Sequence, residues 1–512
     1  MKQLEILTSG EVQKIHDYSL NILEKHGVYF WGDNSALDIF RARGCRTDGS
    51  KVYIPSSLVE ECLRTLPKRE GLSYFNDVWY RNRISLKRGC THLSLIGNAY
   101  YTADYGANEA RVATNEDFEN KDSVYNALDS FETNYCIVFP LPGHESTTKP
   151  FFDDLSNADK AIEFLGSRLV RKGLQCKSKG KQWAPHLICR PIGFGRLEQL
   201  SFAIIEGSKA LEDRLADSQP CHVWVNPVSP LQYNGDQTTD VINTINFPGK
   251  PVFISSECMM GMTSPITLAG TMVQQNAEIL GMTVLAQLAN PGCLCVYGCV
   301  SCATDLRNAE ISHGNFETQA INVASVQMAD FYGMPSRIAP GNTSALQTGP
   351  RAAAETALGL YMGMAAGANI ITIGLLNSTL TLSLEHMVLI DELFKQYKKT
   401  CRGFEFNDDT VALDVIHEEG HPSPNFISHE HTLEHMNTDL HFSSWNGRSD
   451  SSYEDWYEHA HRKVNDILQT AYKPDTDALE RYTLVSSRLK EDMSHIQKGN
   501  DGWWRFYCQD FN

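Results

Sequence analysis

Apolar residues along this chain fall into short runs separated by helix-length segments, and the stretch from Pro251 to Val300 shows the unit most completely. Pro251 to Ser256 is a run of strand length bounded by proline, and Cys293 to Val300 is a second one bounded by Pro291-Gly292. One long apolar helix separates them. Ser264 is the expected N-cap and Pro265 the first helical residue, where a missing N–H costs nothing because that donor has no partner within a helix. Two parallel strands joined by a helix imply a larger α/β sheet.

The same alternation recurs from about Thr91 onward. Eight runs carry it: His92 to Gly97, Tyr135 to Phe139, His186 to Cys189, His222 to Asn226, Pro251 to Ser256, Cys293 to Val296, Arg337 to Ala339 and Asn369 to Ile373. Helical patterns follow several of them, at Asp117 to Asp129, Leu197 to Asp213, Pro350 to Ala366 and Leu384 to Tyr397. Eight βα units predict a (β/α)₈ TIM barrel within an α/β fold class, spanning residues 86–400. The rival, a doubly wound sheet, is weakened because no Gly-x-Gly-x-x-Gly turn follows a strand.

Residues 1–85 read as a helical N-terminal extension. Leu4 to His26 places Val12, Ile15, Tyr18 and Ile22 on one helical face, with Gly27 as the stop, and Ser57 with Glu60 forms the pattern of a capping box. Residues 401–512 read as a C-terminal extension that caps the barrel or mediates oligomerisation, with an amphipathic segment at Trp456 to Tyr472 and an aromatic ending, WWRFYCQDF. So dense an aromatic tail predicts burial on this chain or a neighbouring subunit, and hence a homo-oligomer.

Composition alters this picture only at its edges. A formal net charge of −17 over 512 residues argues against nucleic acid or an anionic membrane surface as partner. Pro265 to Ala289 is long enough to span a bilayer, but Gln274, Gln275, Asn276 and Glu278 stand in its middle, so a helix packed on a sheet is expected instead. Many of the fourteen cysteines lie inside apolar runs, as Cys136, Cys189 and Cys295 do, which suits a reducing cytoplasm. The first ten residues, with Lys2 and Glu5, have no secretory pattern.

In a barrel the chemistry belongs to the residues that close each strand. These are Asn98, Phe139, Arg190, Trp224 with Asn226, Glu257, Tyr297, Asn342 with Thr343, and Asn377. Aromatics, amides, a carboxylate and few cations suit a positively charged or zwitterionic small molecule. Three metal-like patterns carry less weight. Cys299-x-x-Cys302 with Cys293 and Cys295 has no His-rich partner, and His417-Glu-Glu-Gly-His421 is broken by Gly420 and Pro422. His431-Thr-Leu-Glu-His435 lies in a plausible short helix that packing alone would explain, so no metal is expected.

From about Leu7 to Met436 the chain resembles the trimethylamine methyltransferase (MttB-type) superfamily, specifically its members without pyrrolysine. The motifs that carry the resemblance are TSGEVQKIHDYSLNILEKHGV, KVYIPSSLVEECL, DYGANEARVATNEDF, NALDSFE and NPVSPL, then Ser256 to Gly298, AAAETALGLYMGMAAGANIITIG, LTLSLEHMVLIDEL and NFISHEHTLEHM. The resemblance implies a barrel that moves a methyl group from an amine nitrogen to the Co(I) centre of a cognate corrinoid-binding protein. Cobalamin would thus be supplied by that partner and no cofactor held in this chain. In the loop that carries pyrrolysine in trimethylamine enzymes this chain reads GNTSALQTGPR, Gly341 to Arg351, with Ala345 and Leu346 where polar residues are common. The implied substrate is therefore a quaternary amine of the betaine kind.

That chemistry agrees with the residues. Co(I) is a strong nucleophile, and a quaternary ammonium leaves as a neutral tertiary amine, so the protein has only to position the methyl group and exclude water. Phe139, Trp224 and Tyr297 are the expected aromatic cage, Glu257 a fixed negative charge, and Arg190 an anchor for a betaine carboxylate. A non-catalytic barrel that binds a small cationic metabolite is the alternative.

Overall fold

The structure is a computed structural model, and it describes residues 3–32, 34–75, 83–138, 223–242, 251–440, 456–470, 496–498 and 504–506. Its centre is a sheet of seven strands: β1 (His92–Ala99), β2 (Phe131–Val138), β3 (Val223–Val225), β4 (Val252–Ser256), β5 (Cys295–Cys299), β6 (Ser336–Ile338) and β7 (Ile370–Ile373). All neighbours are parallel, in the order β3-β4-β5-β6-β7-β1-β2. Seven of the eight expected runs are these strands, while the run at His186 to Cys189 and the helix at Leu197 to Asp213 lie outside the described residues.

The connecting helices are α1 (Asn115–Ala127), α2 (Leu268–Ala289), α3 (Phe316–Tyr332), α4 (Pro350–Ala366) and α5 (Leu384–Arg402). A later helix, α6 (Trp456–Gln469), packs against the body through buried Tyr457, Ala460 and Val464. One side chain per turn explains its seat. Tyr457 Oη meets His386 Nδ1 of α5 at 2.9 Å, and His461 Nδ1 meets Glu385 Oε1 at 2.8 Å. Among the described residues no helix is long and apolar enough to cross a membrane. α2 is instead buried along most of its length, with Gln275, Asn276 and Glu278 wholly enclosed.

Three local expectations change. The cap of α2 is Thr267, which accepts from Gly270 N, and Ser264 is drawn into the preceding turn, where its hydroxyl lies 2.9 Å from Thr271 Oγ1. The helix Ser56–Thr65 has no side-chain cap, because Glu60 turns to His16 Nε2 at 2.8 Å and Ser56 donates to Glu24 at 2.6 Å. Tertiary partners outbid the local pattern. The first helix is Ser9–Asn21, closed by a true capping box of Thr8 and Glu11, and it widens into a π turn at Ile22–His26 before Gly27.

The N-terminal extension is not purely helical. Val28–Trp31, Lys51–Tyr53 and Arg46–Asp48 form a sheet that Gln232–Asn234, from the middle of the chain, completes in parallel with Val28–Trp31. Strands this short carry little periodic signal, and their fourth member lies about 200 residues away in sequence.

Candidate active site

Strand alternation sorts the seven-stranded sheet into two faces. Val223, Val225, Val252, Ile254, Cys295, Tyr297, Ile338, Ile371 and Ile373 join the large core beneath the helices. Phe253, Val296 and Ile370 alternate with them and form a second cluster on the other face, with Ile84, Leu86, Leu294 and, partly buried, Trp224. That second face is the one the helices leave free.

On it the rings of Trp224 and Phe253 stack at 4.7 Å with their planes 7° apart. Arg337, almost wholly buried, holds its guanidinium 4.8 Å above the Trp224 ring, an arrangement that suits a planar, weakly hydrated cation. Ser255 follows Phe253 by two residues on the same face, next to Gly298 of β5, with which it is in register. Glu257 follows by two more. It keeps solvent-accessible surface although protein surrounds it on most sides, which is how a carboxylate standing in a concavity behaves.

Burial pushes the Glu257 carboxyl above its ordinary range, and the positive charge of Arg337 opposes the rise. The same carboxylate acts on Cys302, whose thiol is pushed up to about 12 by burial and then by the Glu257 charge. Three side-chain atoms near the strand ends are buried without a hydrogen-bond partner: Ser255 Oγ, Asn226 Oδ1 and Asn342 Oδ1. Buried acceptors normally find a donor, so these three atoms retain capacity for one.

Gly298 is required by this packing. A Cβ there would stand 2.1 Å from Ser255 Oγ and 2.7 Å from Ile254 O. A Gly298→Ala variant is expected to lose about 1–3 kcal/mol of stability through forced displacement of β4. Chemical denaturation measures it, and an unchanged midpoint would show that the strand yields freely.

The expected site residues separate into three groups. Trp224, Asn226 and Glu257 occur on the free face or at its strand ends, and Asn98 is exposed near the end of β1. Phe139 and Arg190 lie outside the described residues. Tyr297 and Thr343 point elsewhere. Tyr297 is fully buried on the helix side, where its hydroxyl donates to Asn276 Oδ1 of α2 at 3.1 Å and its ring lies beside Tyr332. A tyrosine at an odd position of β5 faces the helices, so it does not stand beside Trp224. Thr343 donates to Glu355 Oε2 of α4 at 2.6 Å, and Ser344 N donates to the same oxygen at 3.0 Å.

Those bonds shape the loop that precedes α4. Burial tends to raise the Glu355 carboxyl, but hydrogen bonds from Thr343, Arg351 and Ser344 outweigh it and hold the group below its usual range. From the other side, Asn377 N and Ser378 N donate to Ala345 O and Thr343 O at 2.8 and 2.9 Å. Asn377, Ser378 and Thr379 all adopt positive φ to do so, a strain that non-glycine residues bear where the surroundings impose it. Ala345 is buried by this clasp and Leu346 projects, 63 % exposed.

Glu278 of α2 organises the neighbouring loops. Wholly buried, it accepts from Ser256 Oγ at 2.6 Å, Ser229 Oγ at 2.8 Å, Leu231 N at 2.9 Å and Gln274 Nε2 at 3.1 Å. It thus ties the end of β4 to the segment after β3. The cysteines nearby face the same helices: Cys299 Sγ donates to Gln275 Oε1 at 3.3 Å, and Cys293 and Cys295 stand against Gln287 at 3.2 and 3.5 Å. The helix Leu413–Glu419 stops at Gly420, leaving His421 beyond its end. His431 and His435 lie in the helix Glu430–Asp439 with rings 4.3 Å apart.

Reading strand ends alone missed Phe253, Ser255, Arg337 and Glu278. The signals were present: an arginine inside an apolar run, a Phe-x-Ser-x-Glu alternation, and a glutamate in the middle of a long, largely apolar helix.

The family model for trimethylamine methyltransferase (MTTB) matches residues 1–162 and 202–494. The chain is 27 % identical to the glycine betaine methyltransferase of Desulfitobacterium hafniense (strain Y51), across 96 % of this chain and 98 % of that one. It is 29 % identical to the trimethylamine methyltransferase MttB of Desulfitobacterium hafniense (strain DSM 10664 / DCB-2), across 92 % and 89 %. The crystal structure of the Methanosarcina barkeri monomethylamine methyltransferase aligns over 89 % of this chain and 92 % of that chain, at 11 % identity and a TM-score of 0.45.

Proposed function

Because the chain belongs to the trimethylamine methyltransferase (MTTB) family, we propose that it takes a methyl group from the nitrogen of a betaine-like quaternary amine and delivers it to the corrinoid of a separate cytoplasmic protein. The observation that carries this reading is Glu257, exposed just past the end of the strand whose Phe253 stacks on Trp224 in the sheet's interior. An ionised carboxylate attracts a cation without offering it a proton, which suits a substrate that has no N–H.

The sheet order supports a closed (β/α)₈ barrel. The last strand of the chain, β7, pairs in parallel with the first, β1, and the edges are β2 and β3, the strands that flank the eighth expected run in sequence. A doubly wound sheet has no reason to follow its chain order cyclically; a barrel must.

The corrinoid, when its protein docks, supplies the Co(I) nucleophile. This chain's residues do the rest. Glu257 would face the cationic head and balance its charge until the amine leaves neutral, Arg337 favours the ionised form of Glu257, and the largely buried Trp224–Phe253 stack with Arg337 over it would serve as a rigid support for the strand that carries Glu257. Asn226 Oδ1, Asn342 Oδ1 and Ser255 Oγ are the open polar atoms available to orient the substrate. In-line geometry needs the methyl group directed out of the strand ends, where the partner approaches.

A docking rim is available there. Val228, Met262, Ile266, Leu306, Leu346 and Leu380 are exposed on five loops that follow β3 to β7. A Leu306→Asp variant is expected to raise the KM for the corrinoid protein about 10-fold, equivalent to about 1.4 kcal/mol, while amine binding stays unchanged. Equal effects on both substrates would remove Leu306 from the docking surface.

The deciding experiment offers reduced Co(I) corrinoid protein and a panel of methylated amines to the enzyme and follows the visible spectrum. Methyl-Co(III) should form with a betaine. Binding of the amine without methyl transfer to any partner would instead favour a repurposed barrel, for which the altered loop at Ala345 and Leu346 is the motive.

A further inference from the structure

Residues Gly403–Leu440 leave the end of α5 and form three short helices, Asp408–Val411, Leu413–Glu419 and Glu430–Asp439, of which not one residue is buried. Helices of 4, 7 and 10 residues have little stability in water, and their usual support is a buried apolar face. Here that face is bare. Phe404, Phe406 and Ile427 are 85, 81 and 82 % exposed, and Leu413, Ile416 and Leu433 are exposed as well.

The segment nonetheless holds one shape. Thr432 Oγ1 donates to Phe426 O at 2.6 Å, Asn425 N to Glu419 Oε2 at 2.6 Å, and Asn407 closes a capping box with Thr410. His435 Nε2 lies 3.3 Å from Asp409 Oδ2, and His431 Nε2 lies 3.1 Å from Asp409 O. A shaped apolar surface of this kind is an interaction surface. Its charge is one-sided: nine Asp and Glu and no Lys or Arg between Gly403 and Leu440.

The complementary surface is the outer face of the N-terminal sheet. Tyr29 and Trp31 stack there at 5.2 Å with planes 3° apart, and Trp31 is 47 % exposed. Lys51 Nζ lies 5.0 Å above Tyr29 and 5.6 Å from Tyr53, and the Arg46 guanidinium lies 3.4 Å over Tyr53. Asp48 is the carboxylate on the same strands, paired in register with Lys51. Cations interleaved with aromatic rings match an acidic, apolar arm, whereas a second arm would repel it. Among the described residues neither surface is covered: the apolar side chains named on the arm, Trp31 and Arg46 are exposed, and Tyr29, Lys51 and Tyr53 are half-buried.

We propose that the Gly403–Leu440 arm of one copy docks on the Tyr29–Trp31–Lys51–Tyr53 face of a second copy of this chain, assembling a closed homo-oligomer by arm-on-sheet contacts. An arm-on-sheet contact joins unlike surfaces, and this asymmetry makes it testable by complementation.

Two variants are made, Phe404→Asp with Ile427→Asp in the arm and Trp31→Ala with Lys51→Glu in the sheet. Both change exposed or half-exposed side chains, and unfolding midpoints verify that each folds. In sedimentation velocity the unaltered protein is expected to assemble, and each variant alone to sediment as a single 57.4 kDa chain. An equimolar mixture should assemble into 1:1 pairs, because the intact arm of one meets the intact sheet of the other while the second arm and sheet of each pair are both altered. Raising NaCl from 0.05 to 0.5 M should weaken that contact. An unaltered protein that stays single, a variant that assembles alone, or a mixture that does not assemble overturns the proposal. As a second reading, carbodiimide treatment of mixed ¹⁴N and ¹⁵N unaltered chains should link Lys51 to arm carboxylates across the isotopic divide; links confined to one chain, or to a corrinoid protein only, also overturn it.

Discussion

Replacing Glu278 with alanine is expected to cost the fold about 3–5 kcal/mol, the largest single-residue effect we anticipate outside the core. The carboxylate accepts from Ser256, Ser229, Leu231 and Gln274 in a region closed to water. Removing it strands a buried backbone N–H at Leu231 and the two hydroxyls, none of which gains a new partner. Tyr233 is not part of that cost: its hydroxyl donates to the backbone carbonyl of Glu278, which alanine keeps. Burial followed by the Glu278 charge pushes that phenol far above its ordinary range. Chemical denaturation of the alanine and glutamine variants measures the effect. Glutamine keeps the volume and one good acceptor, so it should lose roughly half as much. Near-equal stability of all three proteins would mean that the donors reach other acceptors, and the tie between β4 and the segment after β3 would be dispensable.

Glu257→Gln is expected to lower kcat/KM for a quaternary amine by about 10–100-fold, or about 1.4–2.7 kcal/mol, with little change in stability. Amide and carboxylate have the same shape, so the loss isolates the charge. A pH profile sharpens the test. The carboxylate must be ionised to attract a cation, and burial raises its pKa, so activity should fall on acidification at a higher pH than an ordinary glutamate would impose. Sign and window follow together: the contribution is present above the raised pKa and vanishes below it. The glutamine variant should lack that acid limb, and Arg337→Met should move it to higher pH by removing the opposing positive charge. An acid limb unchanged in the glutamine variant would assign the titration to another group.

Much of the architecture was legible along the chain because a buried parallel strand is an uninterrupted apolar run, and seven such runs are strands of the sheet. The helix at Pro350–Ala366 begins and ends where proline and glycine place it, since backbone restrictions act locally. Capping was less legible. Ser57-x-x-Glu60 has the pattern of a box, yet Glu60 belongs to His16, and Ser264 yields to Thr267. Each pattern competes with partners that only the folded chain supplies. Tyr297 shows the same limit at the site. It closes nothing, because its position in the alternation of β5 directs it to Asn276 and the helices.

By itself, then, the sequence determined a repeating βα chain, the seven strands of its central sheet, the family to which it belongs and a carboxylate at the end of β4, all of which depend on residue type and local order. The tertiary structure decided which face each strand residue takes, that Arg337 lies over Trp224, that Glu278 gathers four donors, and that the clasp at Asn377 and Ser378 buries Ala345. Those outcomes rest on groups far apart in the chain, whose desolvation and hydrogen bonding have no value until the sheet brings them together.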